Sequence, residues 1–550
     1  MGALFLQTPM PRLGLSLVLV ASLAVLHQGV TPSFSSDDYS HLERSIHYPG
    51  LSEALDVFVE PNGREYRPLV RLSLWFDHQL GDSAIPYKAT NVLLHLVCTV
   101  LLYGLIRRLG AAVGISLVAT LLFAVHPIHT TSVHFVLGRT DLIAALFYLS
   151  CLLSVARWPA VPAVWQIAVS LSAFLAALCS KELAITLPVM MLAVRVHHQR
   201  PSALGPWLAR EQRWLWPFGL LVLAYLTGRW WLWRDSGDDI SVYANLSPFN
   251  VANNYVEWGF GLLYPFDLYQ AREWQQRYTG AFLTAAALAS CGLLSFAAWL
   301  LAPNLKALLR SRLAWLGLLW IVITLAPMAG GSAHRWYLYL PSAGLSVLLA
   351  AAWQCLPPRK HGIAALAVTP IVLVCAVETA RQSRVWRTQS DISRAILADI
   401  RTQGIHELDE IYLANQPFGY RSSFLFSFSS LEEAMRVELG RSPRVRVLSY
   451  VNLDGSRSLS PTLRGSELHF RTRPNAFQYL MLSATERRFS DLEVRRVGEV
   501  TLAIDELDAA GRITHYHLDV SEITDEPLYF FDGRGIRSLD ALRGRSERAE

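Results

Sequence analysis

Residues 89–106 read ATNVLLHLVCTVLLYGLI and are followed at once by Arg107 and Arg108. Eighteen residues without a formal charge, closed by a basic pair, have the length and flank of a membrane helix, which needs about 20 largely apolar residues. The same pattern recurs outward from this stretch. Apolar runs begin near residues 13, 89, 112, 141, 162, 183, 214, 281, 314, 338 and 363, which predicts eleven spans. Pro188 and Pro370 fall inside two of them, where neighbouring helices can satisfy the backbone groups a proline frees. A shorter apolar stretch, Tyr255 to Leu268, is broken by Pro265 and reads as an interfacial or re-entrant helix. The composition agrees: 52% of the 550 residues are hydrophobic and 17% charged, where soluble domains carry about 25% charged. That excludes a purely soluble enzyme and a disordered chain. A net charge of +5, with no basic low-complexity tract, argues against a nucleic-acid binder.

The loops between the runs carry lopsided charge. Arg107–Arg108, Arg157, Arg195–Arg213, Lys306–Arg312 and Arg359–Lys360 hold twelve basic residues and one acid, Glu211. The loop Thr31 to Lys88 holds nine acids and five bases. The positive-inside rule puts the first set in the cytoplasm and the long loop outside. Eleven spans then leave the N-terminus cytoplasmic and the C-terminal tail extracytoplasmic. The first run, flanked by Arg12, also has the form of a cleaved signal peptide; the residues just after it favour a retained span. Forty-five arginines against four lysines fit a GC-rich, bacterial genome and so an inner membrane facing a periplasm. The six cysteines lie in or beside apolar runs with no CxxC pair and read as small buried residues.

After residue 381 the character changes. Residues 381–550 contain no Cys and no Lys, and 25 acids stand against 24 arginines. Glu410–Leu413, Val445–Val451, Glu467–Arg471 and Val500–Ile504 read as strands, and Ser430–Leu439 as a helix. The division predicted is a membrane domain over residues 1–385 and a soluble α+β domain over residues 386–550.

Several motifs carry chemistry. SFSSDDYSHLERS follows the first run, with Asp37 and Asp38 adjacent. Carboxylates that close to a bilayer are costly to desolvate, and paired like charges raise one pKa, which suits a base; the plain alternative is a helix cap. Further on, Glu65, Tyr66, Arg67 and Arg71 precede the apolar Leu72–Phe76, the pattern of a helix lying at the membrane surface, with Arg71 and Lys88 as headgroup anchors. Asn91 and His95, four apart, read as interhelical hydrogen-bond partners. HPIHTTSVHFVLGRTD (126–141) brings His126, His129, His134, Arg139 and Asp141 into one loop; the histidine spacing is irregular for a metal, whereas Arg139 suits a phosphate. Lys181–Glu182 interrupts an apolar stretch, and a buried lysine needs an anion, either Glu182 or a phosphate. HRWYLYLPSAG (334–344) adds His334 and Arg335. The tryptophans at 214, 216, 230, 231 and 233 read as an interfacial belt. Carboxylate and cations at a lipid boundary suit a lipid-linked phosphate donor and a base that activates an acceptor.

The ordered set of DD after the first run, YRPL, NVLLH, HPIHTTSV with GRTD, SKE and HRWYLYLPSAG resembles the membrane glycosyltransferases of the GT-C fold. It is most similar to the transmembrane O-mannosyltransferases that act on cadherins and their bacterial relatives, over roughly residues 10–390. Thr131 and His334 stand where that family commonly has Glu, and its helical repeats are not visible here. The resemblance implies inverting transfer of a monosaccharide, with mannose the candidate, from a polyprenyl-phosphate donor on the extracytoplasmic face. The acceptor it leaves open is a protein hydroxyl, a lipid or a glycan. It implies Asp37 or Asp38 as catalytic base and Arg139, Lys181 and Arg335 at the donor phosphate, where His126 is expected to join them. Glu65, Tyr66, Arg67 and His334 are expected to line the acceptor or donor groove, and no cofactor or metal is called for. The rivals are a lipid-linked sugar transporter or flippase and a non-catalytic membrane scaffold.

Overall fold

The computed structural model describes residues 9–60, 65–234, 245–266, 280, 284, 288, 292, 302–331, 333–453, 461–471, 494–497, 500–507, 513–523, 527–532, 535–540 and 542. Most of the run near 281 and one of the six cysteines, Cys291, lie outside them. The chain divides into two compact units. One comprises Met1–Val30, Ser45–Phe266 and Thr284–Arg384; the other comprises Thr31–Arg44, Asp267–Leu283 and Val385–Glu550.

The first unit is helical. Among the described residues of the whole chain, five helices are long and apolar enough to cross a membrane: Pro11–Gly29, Ala84–Arg108, Val136–Val155, Arg335–Gln354 and Pro358–Thr402, the last with its residues from 385 onward in the second unit. The pair Ala302–Arg310 and Arg312–Met328, bent by 75°, makes a sixth if taken as one span, and Val113–Ala124 and Val164–Leu178 are shorter apolar helices. In lipid, apolar faces gain little by meeting, so close packing and polar bonds between helices hold such a bundle. Both are present. A methyl group added to Gly317 would lie 2.8 Å from the carbonyl oxygen of Gly344 on the next helix, so only glycine permits that approach. Ser22 Oγ donates to the Ala124 carbonyl (3.0 Å), tying the first helix into the bundle. His95 meets the Tyr339 hydroxyl (2.8 Å) and the Ala124 carbonyl (3.2 Å), and Asn91 Nδ2 donates to the Phe135 carbonyl (3.0 Å), the interhelical role expected of both. The helix Pro248–Leu263 stops before Pro265, because the residue preceding a proline is pushed out of the helical region.

Several charges expected at the surface turn inward. Arg71 is buried and donates to the Tyr48 hydroxyl (2.9 Å), and Lys88 is fully buried, so neither anchors a headgroup. Arg195 pairs with Glu211, donates to the carbonyls of Pro159 (3.2 Å) and Ala160 (2.9 Å), and lies over the rings of Trp158 and Trp214. Trp214 therefore boxes a cation inside the bundle, whereas Trp216, Trp230 and Trp231 are exposed as a belt requires. The described cysteines are free, and all but Cys355 are buried.

The second unit is mixed. Its described strands are β1 (Glu410–Leu413), β2 (Gln416–Tyr420), β3 (Ser423–Phe424), β4 (Arg444–Val447), β5 (Tyr450–Leu453), β6 (Thr462–Arg464), β7 (Glu467–Arg471), β8 (Val494–Val497), β9 (Val500–Leu507), β10 (Ile513–Asp519), β11 (Leu528–Phe531) and β12 (Ile536–Ser538). They form sheets ordered β12-β11-β1-β4, β3-β2-β5 and β6-β7-β10-β9-β8, the last wholly antiparallel. The expected strand Val445–Val451 is two strands in different sheets, while the helix Ser430–Leu439 has the expected bounds. In β7, β9 and β10 alternate residues face inward. Leu468, Phe470, Leu502, Ile504, Tyr516 and Leu518 enter the core, leaving the other face polar. Thr31–Arg44 packs within this unit: Ser36 N–H donates to the Leu425 carbonyl (2.7 Å), and Arg436 pairs with Glu43 (2.8 Å).

Candidate active site

Four motif segments far apart in sequence converge in the first unit. Arg67 precedes the helix Pro68–His78, Asp141 sits in the first turn of Arg139–Val155, Lys181 and Glu182 open a 3-10 turn, and Tyr337 lies in the 3-10 turn Arg335–Leu338. Lys181 Nζ reaches Asp141 Oδ1 at 2.5 Å and lies 5.2 Å from the centre of the Tyr337 ring. Glu182, one of the two anions expected for Lys181, instead takes Arg67 Nη2 on both oxygens, at 3.0 and 3.2 Å. Arg67 Nη1 donates to Glu65 (3.0 Å). Leu69 N–H donates to the Cys179 carbonyl (3.3 Å), which fixes the two loops against each other. Burial works against ionisation of Glu182, but the charges of Arg67 and Lys181 outweigh it and hold the carboxyl down at about 2. Burial likewise opposes the charge of Arg67, and Glu182 and Glu65 more than offset it, raising the guanidinium above its usual value. The field of Arg229 also reaches Glu182. The result is a cluster of alternating charge, mostly withdrawn from water, whose cations are held in place by carboxylates.

Other expected residues are placed differently. Arg139 is fully buried and spends its donors internally: it pairs with Asp77 and donates to Asn91 Oδ1 (2.9 Å), the Ser73 carbonyl (3.1 Å) and the Tyr87 carbonyl (2.6 Å). It is a strut between helices, not a group turned to a ligand. His126 is similarly occupied, its Nδ1 accepting from Ile128 N–H and its Nε2 donating to the Leu262 carbonyl, both at 3.2 Å. His129 contacts Ser342 (3.4 Å) and His134 contacts Ser383 (2.9 Å), so the three loop histidines go to separate partners. Tyr66 donates to the Phe58 carbonyl (3.0 Å). His334 stacks on Trp336 with ring centres 4.1 Å apart. Arg335 is close enough to His126 for its charge to be felt there.

Asp37 and Asp38 belong to the second unit and differ from each other. Asp38 is fully buried, and its Oδ2 accepts from Ser35 N–H (3.0 Å). Asp37 is exposed, and its Oδ1 accepts from Ser36 Oγ (3.1 Å) and Ser427 Oγ (3.2 Å). The side chain of Asp37 does not cap the helix Asp38–Glu43 that it precedes, so the plain alternative is not realised. Ser36 has φ +45, a conformation that costs a non-glycine residue on the order of 1–3 kcal/mol and that gathers at functional sites. Nearby, burial and Glu438 push the Tyr39 hydroxyl well up. Ser427 had no signal in the sequence, being 390 residues from its partner. Asp141 stood within a quoted motif, but its pairing with Lys181 needs the fold.

No protein-family model matches the chain. It is 26% identical over 404 residues to protein O-mannosyl-transferase TMTC4 of Mus musculus, covering 61% of this chain and 53% of the relative. It is 43% identical over 94 residues to protein O-mannosyl-transferase Tmtc2 of Drosophila melanogaster, covering 17% and 10%. It is 34% identical over 132 residues to protein O-mannosyl-transferase TMTC3 of Homo sapiens, covering 23% and 14%. The chain thus spans about half the length of one of these relatives and a seventh or less of the others. The names agree with the resemblance read from the motifs. A crystal structure of ArnT from Cupriavidus metallidurans bound to undecaprenyl phosphate aligns with a TM-score of 0.48 at 15% identity, over 80% of this chain and 86% of that one.

Proposed function

We propose that this chain is an integral-membrane, inverting glycosyltransferase of the GT-C type. It moves a monosaccharide, with mannose the first candidate, from a polyprenyl-phosphate donor to an extracytoplasmic hydroxyl. Residues 1–385 form its membrane domain, and residues 386–550 form an extracytoplasmic domain. The observation that carries this reading is the convergence of Arg67, Asp141, Lys181–Glu182 and Tyr337 from four separate motifs into one charged cluster. Relatives named protein O-mannosyl-transferase support it.

Each role lies within one unit. In the first, Lys181 and Arg67 supply positive charge to the donor phosphate and stabilise it as it leaves with its electron pair. Asp141 and Glu182 orient those cations, and Arg139 and His126 hold the framework. In the second, Asp37 is the base, since it is the exposed member of the pair and two hydroxyls aim it. Its carboxylate takes the proton of an acceptor hydroxyl. The overall transfer forms a bond from the acceptor oxygen to the anomeric carbon and breaks the carbon–oxygen bond to phosphate, with inversion. The test is turnover of polyprenyl-phosphate mannose, glucose and aminoarabinose by the purified protein. One donor consumed by the parent and spared by a folded Asp37→Asn variant is the expected result. Full turnover in that variant removes Asp37 as the base. Donor binding without turnover of any donor favours a transporter.

A further inference from the structure

The polar face of the five-stranded sheet gathers three histidines and two carboxylates that the proposed transfer does not use. Glu467 and His469 come from β7, His515 and His517 from β10, and Asp505 from β9. Residues two apart on one strand share a face, and the ladder sets His469 directly opposite His517. The β9–β10 ladder shifts register here. His515 pairs with Glu506 while Tyr516 pairs with Ile504, so Asp505 is the bulged residue. Bulges re-aim a side chain, and this one aims Asp505 at the histidines.

From these residues we infer a binding site for one divalent transition-metal ion, with His469 Nδ1, His515 Nε2 and Asp505 Oδ2 as ligands. The three atoms are separated by 3.2 Å (His469 to His515), 3.5 Å (His515 to Asp505) and 3.9 Å (His469 to Asp505). The nearest point equidistant from three atoms so spaced lies about 2.1 Å from each, the bond length of Zn2+ to imidazole nitrogen and carboxylate oxygen. Imidazole with a single carboxylate suits Zn2+, and more generally a first-row transition metal, over Mg2+ or Ca2+.

The surroundings are built for such an ion. Asp505 Oδ2 is buried and accepts no hydrogen bond among the described residues, although two imidazole nitrogens face it. Its other oxygen accepts from His517 Nδ1 at 2.7 Å, which orients the carboxylate. Glu467 Oε2 accepts from His469 Nε2 at 3.0 Å, which puts that ring's proton on Nε2 and leaves the Nδ1 lone pair facing inward. Such carboxylate–histidine–metal relays fix the tautomer of a ligand ring and raise its basicity. His515 must carry its own proton on Nδ1 to present Nε2, a tautomer change without net proton release. Three protein ligands leave a fourth position for water or for an anionic group.

The test uses the full-length protein in detergent, stripped with chelator, then titrated with Zn2+ alone and separately with Co2+. One Zn2+ per chain and the visible d–d bands of tetrahedral Co2+ are expected. His515→Ala and Asp505→Asn should each weaken Zn2+ binding by at least a hundredfold. Glu467→Gln and His517→Gln, which touch the ligands and not the ion, should weaken it by roughly 10–100-fold. The parent titration needs no variant, and Asp505→Asn preserves the shape of the side chain. Less than a tenth of an ion bound per chain at 100 μM Zn2+ overturns the site. So does equal binding by the parent and the combined His469→Ala, Asp505→Asn, His515→Ala variant.

Discussion

Replacing Arg139 by Met separates a structural role from a ligand-binding one. The guanidinium is fully buried, its partner Asp77 is buried, and three further acceptors depend on it. Removing one partner of a buried ion pair leaves the other charge uncompensated and costs about 3–5 kcal/mol. Taking about 4 kcal/mol, and the shallow end of the usual relation at about 2 °C per kcal/mol for a large unit, the apparent melting temperature should fall by about 8 °C. The assay is size-exclusion chromatography of the detergent-solubilised protein after graded heating. Adding Asp77→Leu should recover more than half of the loss, because an apolar pair of similar volume is close to neutral. Donor KM in the folded fraction should be unchanged. An unaltered melting temperature together with a tenfold higher donor KM would refute this reasoning and return Arg139 to the phosphate.

Three other outcomes are expected. Lys181→Met should raise donor KM at least tenfold, and adding Asp141→Asn should improve heat resistance over the single variant without restoring KM; equal KM in parent and Lys181→Met sinks the role. Gly138→Ala should lower the yield of folded protein sharply, because the new methyl group would lie 2.7 Å from the Ser132 carbonyl carbon; normal heat resistance argues against that packing. The carboxyl of Glu182 is depressed to about 2, so the stability it contributes is present above its usual pKa and is lost only as pH falls through about 2. Parent and Glu182→Gln should therefore share the position of any acid limb in their pH–rate profiles between pH 4 and 8, and a limb that vanishes in the variant would overturn this.

What the sequence revealed and what it withheld divide along a physical line. Periodicity gave the helix Ser430–Leu439 and the strands Glu410–Leu413 and Glu467–Arg471 with their observed bounds, since each alternation matches one element's repeat. Asn91 and His95 were legible because four residues make one helical turn. Residue type told that Arg139, Arg71 and Lys88 were charged, but not which way they faced. An arginine beside lipid and an arginine pinned to a buried aspartate look the same in one dimension. The burial of Lys181 calls for an anion, and its sequence context offers Glu182 or a phosphate; the fold brings Asp141 to it, because chain proximity is not spatial proximity. The ring-lined face of the sheet was out of reach. HYH at 515–517 places two histidines on one side of a strand, but only strand pairing and a bulge bring His469 and Asp505 to them.

The union of Arg195 with Glu211 has a consequence for how the chain acquires its orientation. Those two side chains are sixteen residues apart and meet only once the helices Leu187–Gln199 and Leu204–Arg234 have come together. During insertion, before that meeting, Arg195 is still a full positive charge that can help retain its loop on one side. Afterwards the same charge is neutralised and closed in by indole rings. A methionine–leucine replacement of the pair is expected to leave the folded protein nearly as stable while removing one positive charge that an inserting chain would present on that loop.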